Sequence, residues 1–302
     1  EMRGATWAGA GHLRRGGVTR SRPLGCGQRV LATSRAASEI RVQVPGREAT
    51  VLNISQNPDL YGVGALGAVV WPAAHVLLQF LASPQGMPYV KDASILEIGA
   101  GCGVVGLGVG ALGARSVLLT DNATVRFPAV GYEPDGTPAP FEVQAGASQL
   151  DVLRQNIGRN EALLMGEIDV MKLTWGVDQD IASVVHHLKP QGLSLVVGSD
   201  VSYHSLSHHN LFATAKAILL GAGVGASAAG EPEGSGRRLL LSHHRRSTET
   251  TTHLLDTSQR LGFSYRDIDL GDDGGHSASE VACFEFILQE DGGDVAEPGG
   301  FL

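Results

Sequence analysis

The stretch Leu96–Gly106, LEIGAGCGVVG, has residue types and spacing suited to holding a ligand. A short apolar run leads into glycines at 99, 101 and 103, and a helical pattern follows. A strand, a glycine turn and a helix start bring backbone N–H groups close to whatever lies at the helix N-terminus. Asp121 stands 20 residues beyond Gly101, at the end of the next β-rich run. A carboxylate there can accept hydrogen bonds from ribose hydroxyls. These residues predict an adenosine-containing cofactor; the competing use of the same glycines is tight packing of a helix on a strand.

Two cofactor classes fit this loop. Gly101, Gly103 and Gly106 spell the G-x-G-x-x-G of nicotinamide dinucleotide enzymes, which also carry a downstream acid. Glu97, just before the first glycine, argues the other way. A carboxylate at that place would repel a pyrophosphate. S-adenosyl-L-methionine has no phosphate, and its ammonium tolerates a nearby acid.

The elements that must position these residues are read from periodicity. From about residue 93 the chain alternates β-rich runs with helical patterns. Strands are expected at Ser94–Ile98, Ser116–Thr120, Ile168–Lys172, Leu193–Gly198, Arg238–Ser242, Ser264–Asp269 and Val281–Leu288. Helices are expected at Leu150–Asn160, Leu206–Leu220 and Thr250–Leu261, with a further helix end at His186-His187 beside Pro190. The alternation implies an α/β fold with a Rossmann-like, doubly wound, seven-stranded and mostly parallel sheet. The last two strands have no helix between them, so the C-terminal edge should be antiparallel. Ala123–Ala147 and Gly221–Gly236 have the Pro, Gly and low-complexity character of inserted loops, and residues 291–302 that of a disordered tail.

Composition sets limits. The chain of 302 residues is 43% hydrophobic and 18% charged, enough for one large core. Its three cysteines, Cys26, Cys102 and Cys283, have no metal-type spacing and suggest a reducing compartment. Residues 1–38 hold seven arginines, no lysine and a single acid, Glu1, whereas the remainder holds 16 basic and 30 acidic residues. The acidic body speaks against nucleic-acid binding and suits a basic partner surface. The first 38 residues are either a flexible extension or a transit peptide. The expected location is therefore the cytoplasm by default, with plastid or mitochondrion as the alternative. The domain itself is expected over 39–290. No apolar run is long enough to span a membrane.

Several further segments, in order, give a resemblance. Val70-Trp71-Pro72-Ala73-Ala74 before an apolar helix, Leu96–Gly103, Leu119-Thr120-Asp121, Leu153–Asn160, Leu173-Thr174-Trp175-Gly176 and Ser199-Asp200-Val201-Ser202-Tyr203 together resemble methyltransferase family 16. These are seven-β-strand, class I S-adenosylmethionine-dependent protein-lysine methyltransferases. The likeness covers about residues 60–290. It implies that Trp71, Glu97, Gly99, Ala100, Gly101, Asp121, Trp175 and Ser199 hold S-adenosyl-L-methionine. It also implies that Asp200 and Tyr203, as its Asp-x-x-Tyr motif, serve the acceptor. Leu241-Ser242-His243-His244-Arg245 is similar to a subgroup acting on a translation elongation factor, which usually has Pro where this chain has Arg246. The partner implied is a protein, such as a translation factor or chaperone, met by a monomer, with no nucleic acid and no membrane.

Methyl transfer needs an attacking lone pair in line with the leaving sulfur, so positioning dominates. A lysine ammonium, with a pKa near ~10.4, must first lose its proton. Desolvation lowers that value and a carboxylate raises it. Asp200 is therefore assigned to recruiting and orienting the amine, and Tyr203 to lining its channel. Asp200, His204 and His208 fall at i, i+4, i+8, as metal ligands on a helix can, but their neighbours look like a solvated helix start and no metal is expected. A small-molecule methyltransferase, a nicotinamide oxidoreductase and a silent binding domain stay open as rivals, because a fold does not fix a substrate.

Overall fold

A computed structural model describes residues 38–57, 66–122, 148–223, 237–270 and 280–289, and the backbone alone of 129–132 and 138–141. The transit-like segment up to residue 37, most of the 123–147 insertion, the loop 224–236 and the tail from 290 lie outside the described residues.

The central sheet begins with strand β3 (Ser94–Ile98), all five of whose residues are buried. A strand covered on both faces should read as an unbroken apolar run, and SILEI nearly does. It pairs in parallel with β4 (Ser116–Asp121) on one side and β8 (Leu195–Ser199) on the other. Beyond β4 lies β7 (Glu167–Lys172), and beyond β8 lies β9 (Arg238–His244), both parallel. Strand β11 (Val281–Leu288) is antiparallel to β9 and to the edge strand β10 (Phe263–Ile268). The spatial order is β10-β11-β9-β8-β3-β4-β7. This is the doubly wound, mostly parallel seven-stranded sheet with an antiparallel C-terminal edge that the sequence predicts. Two short pairs stand outside it, β1 (Ser38–Gln43) with β2 (Val51–Gln56) and β5 (Ala129–Tyr132) with β6 (Pro138–Phe141).

Helices cover both faces. On one, α1 (Pro72–Ala82), the short α2 (Met87–Val90), α3 (Val104–Leu112) and α4 (Gln149–Asn160) share a core with Ile95, Leu119 and Val197. On the other, α5 (Asp178–Leu188), α6 (Ser205–Gly221) and α7 (Thr248–Arg260) pack on Leu96, Ile98 and Val196. Strand β8 starts two residues later than expected and β9 runs two residues further, to His244. The β1–β2 pair was not foreseen. It is held by side chains rather than by the sheet: Asn160 Oδ1 accepts the Asn53 N–H and Asn156 Oδ1 the Ser55 N–H, both at 2.8 Å.

Because the winding changes direction between β3 and β8, their carboxyl ends leave a crevice. In open α/β sheets that is where ligands bind.

Candidate active site

A cavity of about 570 Å³ opens at this crevice. Its walls come from the β3–α3 loop, the end of β4, the start of α1, the turn after β7 and the loop after β8. Trp71, Gly99, Ala100, Gly101, Asp121, Trp175, Ser199, Asp200 and Tyr203 all line it. Glu97, the remaining expected site residue, does not.

The glycine loop is shaped by three left-handed residues, Gly99, Gly101 and Gly103, with φ of +67°, +55° and +82°. At Gly99 a Cβ would also stand 2.6 Å from Val201 Cγ1 and 3.3 Å from the Trp175 ring, so no side chain fits. The loop is anchored by amide side chains from α4. Gln149 Nε2 donates to the Gly101 carbonyl at 2.6 Å, and Asn156 Nδ2 donates to the Cys102 carbonyl at 2.9 Å. Neither amide was expected at the site. Asn156 lies in the resembling segment Leu153–Asn160, without a role there, and Gln149 gave no sign in the sequence.

Two carboxyls meet the loop from below. Asp121 Oδ2 accepts the Gly101 N–H and Oδ1 the Asn122 N–H, each at 2.7 Å. Burial pushes its pKa up to about 6 while these two N–H bonds pull it back, so at neutral pH it is a carboxylate. Each oxygen keeps a second lone pair, which a ribose diol can use. Glu97 is fully buried, and its Oε2 accepts the Gly106 N–H in the first turn of α3 at 2.8 Å. Burial raises its pKa to about 8, against the opposing pull of that bond, with Asp121 adding to the rise. The expectation that Glu97 is among the residues that hold the cofactor is therefore corrected: it does not line the cavity. Residue 97 points to the α3 side of the sheet, whereas the cavity begins beyond residue 98, and near neutrality its carboxyl is protonated. It still bears on the cofactor. In a dinucleotide enzyme the loop and helix N–H groups receive the pyrophosphate. Here Asp121 takes the Gly101 N–H and Glu97 takes that of Gly106, so two of those donors are already spent on carboxyls.

The side that the resemblance assigns to the acceptor is built differently. Asp200 has a positive φ of +52°, unusual for a residue with a side chain, and its N–H donates to the Ser242 carbonyl at 2.9 Å. Its carboxylate, 3% exposed, receives both ends of the Arg246 guanidinium, at 2.6 and 2.7 Å. The guanidinium also sits 5.7 Å from the centre of the Trp71 ring, whose Nε1–H donates to the Leu66 carbonyl. Arg246 lines the cavity and, like the two amides, was not expected at the site. Tyr203, 42% exposed, stands at the mouth. Burial raises its pKa, as do Asp121 and Asp200, so its hydroxyl keeps its proton.

Behind this loop lies a buried polar chain. Ser202 Oγ meets His243 Nδ1 at 2.7 Å, and His243 Nε2 meets Thr251 Oγ1 at 2.9 Å. His208 Nε2 meets the Ser202 carbonyl at 3.0 Å, and its Nδ1 meets His253 Nδ1 at 2.9 Å. Burial lowers His243 to about 4 and lowers His208 too, so both imidazoles are neutral at pH 7. His204 is separate: it caps α6, its Nδ1 accepting the Leu206 N–H. Among the described residues no group of three His, Cys, Asp or Glu side chains is placed to hold a metal.

The glycine cradle, Asp121, Trp71 and Trp175 can be set beside known proteins. Residues 47–128 match the lysine methyltransferase family model. That span holds Trp71, the whole glycine loop and Asp121, and stops before Asp200. The resemblance to methyltransferase family 16 read from the sequence agrees with it. The chain is 33% identical over 153 residues to Protein N-lysine methyltransferase METTL21A of Danio rerio, covering 50% of this chain and 54% of that protein. It is 32% identical over 130 residues to Protein-lysine methyltransferase METTL21E of Mus musculus, covering 43% and 41%. The chain thus spans about half the length of the curated relatives it matches. Among solved structures, a ribosomal protein L11 methylase from Lactobacillus delbrueckii subsp. bulgaricus aligns over 72% of this chain and 79% of that one, with 11% identity and a TM-score of 0.42. A likeness of that size carries no functional weight.

Proposed function

We propose that this chain is an S-adenosylmethionine-dependent N-methyltransferase that modifies a lysine side chain of a protein. The observation that carries the proposal is the pairing, in one cavity, of a glycine cradle closed by Asp121 with an acceptor side made of Asp200 and Tyr203. The cradle lies within the span that matches the lysine methyltransferase model. The donor set fits the cofactor. Asp121 can take the ribose hydroxyls, Trp71 and Trp175 offer flat apolar faces, and two N–H groups of the loop and first helical turn, those of Gly101 and Gly106, are committed to carboxyls. These commitments weigh against the nicotinamide reading.

S-adenosylmethionine, when bound, supplies a methyl group made reactive by its sulfonium. The chain's own residues position the acceptor and manage its proton. The Asp200–Tyr203 loop holds the amine channel, and the Tyr203 hydroxyl, still protonated, can donate to or orient the amine. Trp175 and Val201 occupy the space beside Gly99 that a side chain there would take, and give that wall of the cavity an apolar surface. The acceptor we favour is a protein with a basic surface, of the translation-factor or chaperone kind, approached by a monomer in the cytoplasm unless residues 1–38 direct import.

Calorimetry and thermal shift with S-adenosylhomocysteine, with NAD as control, test the cofactor. Micromolar binding of the first and none of the second is expected; the reverse pattern would return the chain to the oxidoreductases. Radiolabel from S-adenosylmethionine should then enter protein in a cell extract and be recovered as methyl-lysine. Label found only in small molecules would remove the protein acceptor.

A further inference from the structure

The acceptor side contains a cation of its own. A carboxylate facing the amine channel would hold an incoming lysine as its ammonium, the form with no lone pair to attack. In this chain both oxygens of Asp200 are already engaged by Arg246, at 2.6 and 2.7 Å, in the bidentate geometry that is strongest for such a pair. The guanidinium is further fixed over the Trp71 ring, 5.7 Å from its centre. Both members line the cavity.

Apart from Asp121, the surrounding groups do not replace the charge that Arg246 cancels. His243 on β9 and His208 on α6 are neutral at pH 7, and Tyr203 keeps its proton. Arg245, next along the chain, is half-exposed and lies 3.8 Å from Asp267. The charged group that remains is Asp121, across the cavity at the end of β4, with one oxygen on the Gly101 N–H.

We propose that Arg246 sets the protonation state in which the acceptor is taken: by holding Asp200 it removes the charge that would retain an ammonium, so the site selects the neutral amine. Arg246 is a positioning residue that acts through Asp200. The inference rests on the methyltransferase reading of the site, but it can be tested without turnover.

The probe is n-butylamine, four carbons and an amine as in a lysine side chain. Its binding to the wild type, to Arg246→Gln and to Arg246→Lys is measured by calorimetry between pH 7 and 9. A site that takes the neutral amine gains affinity as pH rises, by about tenfold per unit while the free amine remains protonated. That rise is expected for the wild type. Arg246→Gln should bind at pH 7 at least about tenfold more tightly than the wild type, with no rise toward pH 9, because Asp200 is now free to hold the ammonium. Arg246→Lys, which restores a cation, should return the wild-type slope; a purely structural role for Arg246 would leave the slope of every variant unchanged. Equal affinities and slopes in the wild type and Arg246→Gln, or no binding to either at any pH, overturn the proposal. A parallel titration with S-adenosylhomocysteine separates the two ideas. Failure of the wild type to bind it sinks the proposed function, whereas failure of the amine slopes with that binding intact sinks only the role of Arg246.

Discussion

The two sides of the cavity keep their polar groups in order by different means. On the cofactor side, side chains bond to backbone: Asp121 to the Gly101 N–H, Glu97 to the Gly106 N–H, and Gln149 and Asn156 to loop carbonyls. On the acceptor side, side chains bond mainly to one another: Asp200 to Arg246, Ser202 to His243, His243 to Thr251, and His208 to His253. A side built on backbone depends on a loop shape that few residues allow. A side built on side-chain pairs can change its partners while the fold stays as it is. The first should therefore be intolerant and general, and the second adjustable to an acceptor.

If that contrast is right, substitutions rank by their effect on S-adenosylhomocysteine affinity. The largest loss is expected from Gly99→Ala. A methyl there adopts a left-handed φ of +67° and overlaps Val201 Cγ1 at 2.6 Å. Strain and overlap together cost about 2–4 kcal/mol, either as lost stability or as a displaced loop. Affinity should fall by about thirtyfold to several hundredfold if that energy comes out of binding. Calorimetry together with a melting curve reads both; a folded variant that binds normally would show that the loop shape is not what holds the ligand.

His243→Leu should do the opposite to the two functions. It leaves Ser202 Oγ and Thr251 Oγ1 without their imidazole and is expected to destabilise by about 1–3 kcal/mol. Because the loss falls behind Asp200 and Tyr203, label transfer into protein should drop about tenfold or more, while S-adenosylhomocysteine affinity stays within about threefold. Equal losses in both would mean that the two sides are one cooperative unit.

The same contrast explains what could be read from the sequence. Strand β3, the glycines and Asp121 are local signals. An apolar run, a turn that only glycine allows and an acid at a strand end are all visible within about 25 residues, and each was placed correctly. Helix α5 carried its signal too, with Ile181, Val184, Val185 and Leu188 at helical spacing, although only its end at His186-His187 was anticipated. The β1–β2 pair left little trace, because its anchors Asn156 and Asn160 lie about 100 residues downstream. Arg246 was invisible as a site residue for the same reason. It sits 46 residues from Asp200 with no spacing to link them, and it showed only as a departure from a resembling subgroup. Glu97 marks a different limit. Its type and position were read correctly, but alternation along β3 turned it under α3, so it fills an N–H of the helix instead of facing the ligand.

Glu97→Gln should have the smallest effect on the ligand and isolates that buried carboxyl. Gln keeps the shape and can still accept the Gly106 N–H, so S-adenosylhomocysteine affinity near pH 7 should stay within about twofold. Stability should separate the two proteins as pH rises. The folded wild type holds the Glu97 proton up to about pH 8, whereas the unfolded chain releases it near the ordinary 4.5. Between these values the folded state binds more protons than the unfolded one, so wild-type stability falls with increasing pH. The Gln side chain does not titrate, and the raised pKa of Asp121 contributes to both proteins and cancels in the difference. The variant should therefore gain on the wild type steadily from about pH 4.5 to 8 and hold a constant advantage above it, on the order of 4–5 kcal/mol relative to its standing at pH 4.5. Denaturant melts at pH 5, 7 and 9 measure the difference. A constant gap across the three would mean that Glu97 is ionised in the fold, which would put a negative charge back beneath the glycine loop and make the cofactor side electrostatic as well as geometric.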